Sequence, residues 1–464
     1  MRIPKKITIF ILFFILFAIF TKKTMLSWGD SSRMATIQSL VDNSTFIIDR
    51  SLFNWTGDKY FYNNHFYSDK PPVLSIYGAL VYFLLKNIFN ISFANHYRLA
   101  CYLITLLTIG FLSCLGLVYF YKILVEIFAI DEEWADITTL VLGTGTLVLP
   151  YSIALNNHSV SGVLLLLSFY YLLKYENNKL YNIALSGLLV SIAGSVELNC
   201  FLFIPFALVF FLLTKPFKSG IIFLLACVPF ILIFLGLNIY TSGSLIPPAM
   251  NKALWNYPGS IFNQANLSGL ATHKGISGIL IYTFHMIIGN RGLISHTPVL
   301  LVSIYSLIVI FKSRYFVYKK EFLYISAASF AFILLYILKT VNYSGYAFGI
   351  RWFATVIPLL CLSIAHIGIE IRNSKKLKIL FIIIACISIL FSLLGTFNPF
   401  PADSLTDSQR YFNPPNTLLL SIKLIATESS MGYKLSLFIS ACIIYFIFFK
   451  LLKKLNSGQK PVFP

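Results

Sequence analysis

Acidic side chains are scarce in this chain: Asp and Glu number 17 among 464 residues, Lys and Arg 36, and charged residues together make up 11%. Soluble globular domains carry about a quarter charged residues, so this composition excludes one. The seven cysteines (101, 114, 200, 227, 361, 386 and 442) all stand inside hydrophobic runs, without CxxC or metal-ligand spacing. They read as small apolar packing residues. Strand-like alternation of apolar and polar residues is also missing, which argues against a membrane barrel. What is present is apolar: 58% of the residues are hydrophobic, in runs that recur from end to end at the length a bilayer imposes on spanning helices. The fold class expected is an all-α polytopic membrane protein, a single helix bundle over residues 1–464 with roughly 11 to 14 spans and no separately folding soluble domain.

The formal net charge of +19 has its source in short connections beside hydrophobic runs: Lys5-Lys6, Lys215 and Lys218, Lys312 to Lys320, Arg372 to Lys378, and Lys450 to Lys454. That distribution sets membrane topology and favours anionic lipid headgroups; no nucleic-acid partner is implied. No small-x-small cleavage site follows the first run, so it reads as an uncleaved span. With Lys5-Lys6 and the lysine-rich tail both cytoplasmic, the loop 22–70 is external.

That loop is where carboxylates concentrate. It contains Asp30, Asp42, Asp49, Asp58 and Asp69, together with Trp28, Trp55, the aromatic and amide cluster Tyr60 to Tyr67, and Lys70 directly before Pro71-Pro72. Met34, Ile37, Leu40 and Val41 share one helical face, which predicts a short juxtamembrane helix over Ser31–Asn43, flat in the interface, with Asp30 just before its first turn. Pro71-Pro72 suits the first turn of span two, where a missing N–H costs nothing. Later landmarks are the acidic connection Glu126 to Asp136, a polar break at Gly194 to Asn199 between two helices, a span from Arg351 to about Ile369, and polar loops at 241–277 and 397–433. Sidedness in the middle of the chain stays open.

Each candidate for chemistry has a plain alternative. Asp30 is either a surface general base or an N-cap, two roles that are compatible. Lys70, with Asp69 beside it, stands at the positive end of a helix where a phosphate would dock, or snorkels to the interface. His65 and Tyr67 line the same pocket or belong to an interfacial aromatic belt. Glu197 lies in an apolar stretch, where an ionisable group points to function or to a structural pair. Arg351 is suited to clamp a phosphate bidentately, or merely sets topology. His158, Arg291 and His296 are weaker candidates of the same type. Asn43-Ser-Thr45 and Asn54-Trp-Thr56 match the glycosylation triplet, a pattern frequent by chance.

The order of Gly29-Asp30-Ser-Ser-Arg33 after the first span and Tyr67-Ser-Asp-Lys-Pro-Pro72 entering the second resembles the GT-C superfamily of polyprenyl-phosphate-sugar-dependent glycosyltransferases, the group of the protein O-mannosyltransferases and the lipid A aminoarabinose transferase. Asn157-His158, Gly289 to Gly292 with Ser295 to Pro298, and Gly345 to Arg351, which includes Tyr346, look like later landmarks of that group. The resemblance implies a sugar transferred from a polyprenyl-phosphate donor to an envelope acceptor (lipid glycan, wall polymer or protein) on the outer face of a prokaryotic plasma membrane. It implies Asp30 as the catalytic carboxylate, Lys70 and Arg351 on the donor phosphate, and Arg33 in the substrate pocket. Ser31 replaces the family's paired acidic residue, which leaves a divalent cation (Mg or Mn) open. A leaving phosphate already stable as an anion needs cations and one base, and single displacement inverts the anomeric centre. A flippase without chemistry predicts internal repeats with broken helices in matching positions, and none is evident. A polymerase or ligase predicts arginines and a histidine in a late loop, where 397–433 has Arg410 alone.

Overall fold

The structure, a computed structural model, describes residues 4–174, 179–262, 267, 272–314 and 316–457. Helix α1 (Lys5–Phe20) leads to α2 (Trp28–Asp42), a hairpin of β1 (Lys59–Tyr62) and β2 (His65–Ser68), and α3 (Pro72–Phe89). Next, α4 (Phe93–Thr105) and α5 (Phe111–Lys122) join through π turns into one rod, Phe93–Ile127. The middle comprises α6 (Glu132–Thr144), α7 (Val148–Tyr151), α8 (Asn157–Leu173), α9 (Leu180–Val196), α10 (Phe203–Thr214) and α11 (Phe217–Ser242). Then come α12 (Gly275–Ile287), α13 (Leu293–His296), α14 (Leu300–Lys312) and α15 (Lys319–Lys339), followed by α16 (Ile357–Cys361), α17 (Gly368–Asn373) and α18 (Lys375–Gly395). The chain closes with α19 (Asp407–Phe412), α20 (Thr417–Glu428) and α21 (Met431–Ser457).

Six of these elements are long and apolar enough to cross a membrane: α3, the Phe93–Ile127 rod, α11, α15, α18 and α21. Five further apolar stretches of 10–17 residues fall short of that length. The all-α membrane fold read from composition is therefore what forms, and the hairpin is the one sheet among the described residues.

One end of the bundle is tied by ion pairs. Lys5 reaches Asp136 at 2.5 Å and Lys454 reaches Glu133 at 2.8 Å, while Lys6 pairs with Glu126 and Arg372 with Asp131. The acidic connection after the rod thus sits with the lysines of both termini. The opposite end carries α2, the hairpin and the polar loops.

Four expectations change. Helix α2 begins at Trp28, three residues earlier than its apolar stripe suggests, because Ser27 caps it and Asp30 completes a capping box. It also does not lie flat: Gly29 to Ser39 are buried on every side. The span expected from Arg351 to Ile369 breaks into a 3-10 turn (Arg351–Thr355), α16, another 3-10 turn (Leu362–Ile367) and α17. Within the 397–433 loop, α20 is a regular helix capped by Asn416. The loop 241–277 lies partly outside the described residues.

The closest helix pair, α9 against α11, packs through small residues, the usual device where lipid supplies no hydrophobic drive. A Cβ on Gly187 would stand 2.4 Å from the Phe223 carbonyl oxygen. Gly187→Ala therefore pushes α9 from α11 and is expected to lower thermal stability in detergent by about 1–3 kcal/mol. Gly236→Ala on the open face of α11, with nothing within 4 Å, is the control expected to leave the melting midpoint in place.

Candidate active site

Helix α2 is the platform of the site. Its Ser32 hydroxyl bonds the Asp58 carbonyl and lies 2.6 Å from the Ser68 hydroxyl, which in turn accepts the Lys70 N–H at 3.2 Å. Thr56 donates to the Trp28 carbonyl at 2.8 Å and accepts the Asp58 N–H at 3.1 Å. The hairpin turns at Asn63-Asn64, both at positive φ, the two-residue turn that matches strand twist and tolerates asparagine. Tyr60 docks the hairpin on the end of α11 by donating to the Thr241 carbonyl at 3.1 Å. Gly243 ends α11 at φ +68°, where a Cβ would strike the Tyr62 hydroxyl.

These contacts converge on Lys70. Its ammonium lies 2.7 Å from Asp58 and 2.8 Å from Asp69. Burial works against that charge, but Asp58 and then Asp69 outweigh it and lift Lys70 above a free lysine. The Asp69 carboxyl is held above the usual carboxylate range, by burial first and against the pull of Lys70, with Asp58 adding to the rise. Its Oδ2 takes the lysine; its buried Oδ1 has no hydrogen-bond partner.

Two cavities meet at this point. The first, about 530 Å³, is lined by Arg33, Tyr67, Asp69, Lys70, Asn157, His158, Glu197, Asn199, Asn238, Tyr336, Lys339 and Arg351. It reaches residues of α11 and α15, whose outer faces expose Leu232, Ile233, Leu334 and Leu338. The second, about 810 Å³, is lined among the described residues by loops, the start of α2 and short helical turns, including Trp28, Trp55, Asp58, Trp255, Tyr346, Phe400 and Arg410. Asp69, Lys70, Ala249, Arg351 and Trp352 line both.

At the inner end of the first cavity the extended residue Glu197 separates α9 from the next turn. Its carboxylate accepts from Tyr336 at 2.7 Å and from Asn157, and the Nδ1 of His158 stands 3.2 Å away. Asn157 also accepts from Arg33, whose other amine donates to the Gly29 carbonyl at 2.7 Å. Trp352 stacks on Tyr336 with centroids 4.5 Å apart, fixing the neighbouring Arg351. The Arg351 guanidinium donates to the Ser344 carbonyl and lies over the Phe400 ring. Arg33 Nε, Asn238 Nδ2 and Arg351 Nε are buried donors without partners, so this cavity presents unmet donors to whatever fills it.

The remaining sequence candidates stand elsewhere. Asp30, 2% exposed, lines neither cavity. Its Oδ1 accepts from the Ser27 N–H and hydroxyl and the Ser31 N–H, and its Oδ2 accepts from the Leu26 N–H. Burial lifts it to about 6 against those bonds. The geometry is that of a cap, and the carboxylates that line the two cavities are Asp58, Asp69, Glu197 and Asp407. His65 pairs with Asp49 at 2.7 Å on the hairpin surface. Arg291, fully buried, bonds Asp403 at 3.2 Å and the Ala347 carbonyl; His296 bonds Thr417 at 2.8 Å. Neither touches a cavity, and Tyr346 reaches only the second, where Arg410 stacks on it at 4.7 Å. Asp58, Asn238, Tyr336 and Lys339 were not singled out from sequence. Asn238 is the amide in an otherwise apolar run, and Tyr336 and Lys339 share a helical face by i, i+3 spacing, which are the signals that mark them. Among the described residues no three His, Cys, Asp or Glu side chains gather as for a metal ion, and the carboxylates of Asp58 and Asp69 share an ammonium.

No family model matches the chain, and no curated protein matches it in sequence. Solved structures do match in fold. ArnT from Cupriavidus metallidurans, bound to undecaprenyl phosphate, aligns over 97% of this chain and 77% of its own at TM-score 0.54 and 13% identity. The oligosaccharyltransferase AglB from Archaeoglobus fulgidus, in complex with an inhibitory peptide and a dolichol-phosphate, aligns over 92% of this chain and 58% of its own at TM-score 0.53 and 11% identity. The apo form of an Archaeoglobus fulgidus oligosaccharyltransferase aligns at TM-score 0.51 and 12% identity, over 93% of this chain and 59% of its own. The fold is one shared with ArnT and these oligosaccharyltransferases.

If Asp30 only caps α2, Asp30→Ala and Ser27→Ala each cost about 1–2 kcal/mol of stability. The double variant then costs less than the sum, since both remove one cap. Chemical denaturation in detergent reads all three, and Asp30→Asn is expected to keep any transfer activity within a few-fold of wild type.

Proposed function

We propose that this chain is a membrane glycosyltransferase that moves a sugar from a polyprenyl monophosphate to an acceptor hydroxyl, with Asp69 as general base. The observation that carries the reading is the seam: Asp69, Lys70 and Arg351 line both cavities, one reaching the bundle helices α11 and α15 and the other lined by loops, the start of α2 and short helical turns. A lipid-linked donor enters the first between α11 and α15, and a water-soluble acceptor group enters the second. The neighbours ArnT and AglB, captured with undecaprenyl phosphate and dolichol-phosphate, support a donor of this class.

Charge supports a phosphate. The first cavity is lined by Arg33, Lys70, Lys339 and Arg351 against Asp69 and Glu197. Four cations against two carboxylates leave it net positive, the complement of an anionic headgroup.

The step itself is one displacement. The acceptor oxygen forms a bond to the anomeric carbon as the bond from that carbon to the phosphate oxygen breaks. The electron pair leaves with the polyprenyl phosphate, and the hydroxyl proton passes to the Asp69 carboxylate. Lys70 and Arg351 meet the charge gathering on the phosphate. A single displacement of this kind inverts the anomeric centre. In the membrane, the lysine-rich end of the bundle faces the cytoplasm and the hairpin end faces outward.

Asp69→Asn in purified protein is expected to cut sugar transfer from a polyprenyl-phosphate donor at least about a hundredfold while donor binding persists. Because the Asp69 pKa is raised, wild-type transfer falls away on the acidic side at a pH above the ordinary carboxylate range, as the base protonates. Transfer by Asp69→Asn at the wild-type rate would reject the base, and a donor that binds Arg351→Gln as well as wild type would reject the clamp.

A further inference from the structure

The acceptor class is written in the aromatic wall of the second cavity. Trp28 is 39% exposed and Trp55 53% exposed, costly placements for the largest apolar side chain outside a lipid face. Both rings line the cavity rather than the lipid-facing sides of the spanning helices. Trp28 is also braced. A Cβ on Gly57 would stand 2.7 Å from its six-membered ring, so the indole lies against bare backbone there, and Phe262 meets it edge-on at 6.3 Å. One face is held and the opposite face is left for a ligand. Trp55 continues the track: it lines both this cavity and a shallow groove of about 420 Å³ with Asp49, Asn54, Lys59, Asn64 and Phe66.

We infer that the acceptor is a glycan chain, whose reacting residue sits near Asp69 while the residues behind it stack on Trp28, then Trp55, and run out along the hairpin groove. The axial C–H face of a pyranose is flat, apolar and slightly positive, the complement of an aromatic face, and its equatorial hydroxyls match the carboxylate and amides that border Trp55. A lipid acceptor would need a wall open to the bilayer, and the described residues that line this cavity belong to connections, short helical turns or the first turn of α2, not to a spanning helix. A peptide would need rows of backbone partners rather than ring faces. The inference rests on the transferase reading above and names the acceptor for it.

The test uses the full chain in lipid nanodiscs, presented with immobilised oligosaccharides of graded length and, in parallel, with Ser- and Thr-containing peptides. Retention of an oligosaccharide that strengthens with length is expected, with affinity reduced about tenfold, the equivalent of one stacking contact, by Trp28→Ala. Gly57→Ala, which removes nothing but displaces the ring, is expected to weaken binding similarly, and Trp28→Phe to restore most of it. Retention of peptides, retention of no oligosaccharide, or oligosaccharide affinity indifferent to Trp28→Ala overturns the proposal. Undecaprenyl phosphate binding on the same samples tests the transferase reading separately: protein that holds this lipid but no glycan loses only the acceptor assignment.

Discussion

An ammonium shared by two carboxylates fixes the rest of this site. Lys70 has three protons to give, and Asp58 and Asp69 take two at 2.7 and 2.8 Å. Such a triad, half-buried, is stable only if its members cannot drift apart, because separating a buried pair leaves an uncompensated charge. The chain meets that demand with α2. Ser32 ties the Asp58 loop to the end of β2, and Thr56 ties the same loop to Trp28. Helix α2 is in turn fixed at its start by the Ser27–Asp30 capping box. Asp30 therefore matters to the site without touching it: it sets where α2 begins, and so where Ser32 stands.

That indirect role explains what the sequence could and could not reveal. The apolar runs revealed a chain built of membrane-length helices, because period and length are local properties. Lys70 before Pro71-Pro72, Arg351, Glu197 and His158 were visible as charged or polar residues placed against the grain of their surroundings, and the structure gathers all four around one cavity. Asp30 was visible too, but base and cap share the same residue type and the same position near a helix start. Only the third dimension separates them. The hairpin escaped notice because its residues merge into an aromatic cluster, although Asn63-Asn64 between two short aromatic runs is the pattern of a two-residue turn. Arg291 and His296 looked like site residues because burial and chemistry both favour hydrogen-bonded polar groups, and they spend theirs on Asp403 and Thr417 within the loop scaffold.

Membrane depth raises the stakes for the polar residues at the inner end of the first cavity. An ionisable side chain there is tolerated only when its hydrogen bonds are met or a water-filled space adjoins it. Glu197 satisfies both oxygens through Tyr336 and Asn157, and Asn157 passes the connection on to Arg33. The chain Arg33–Asn157–Glu197–Tyr336 thus joins α2, α8, the α9 break and α15 through side chains alone. Trp352, stacked on Tyr336, extends it to the residue beside Arg351.

The same constraint accounts for where the helices fail. Backbone groups freed from a helix at membrane depth must find partners inside the protein or in a cavity, since lipid offers none. The breaks at Glu197–Leu202 and Arg351–Thr355 both border the first cavity. Each places a charged side chain at its first residue, Glu197 in one and Arg351 in the other. A continuous helix would carry those side chains past the cavity on a fixed spiral, whereas a break lets the chain turn one residue inward and resume. The cost of each break is borne where polar space already exists, so the short, irregular elements that make the sequence hard to parse around residues 197 and 351 are the same ones that bring an acid and a guanidinium to one wall.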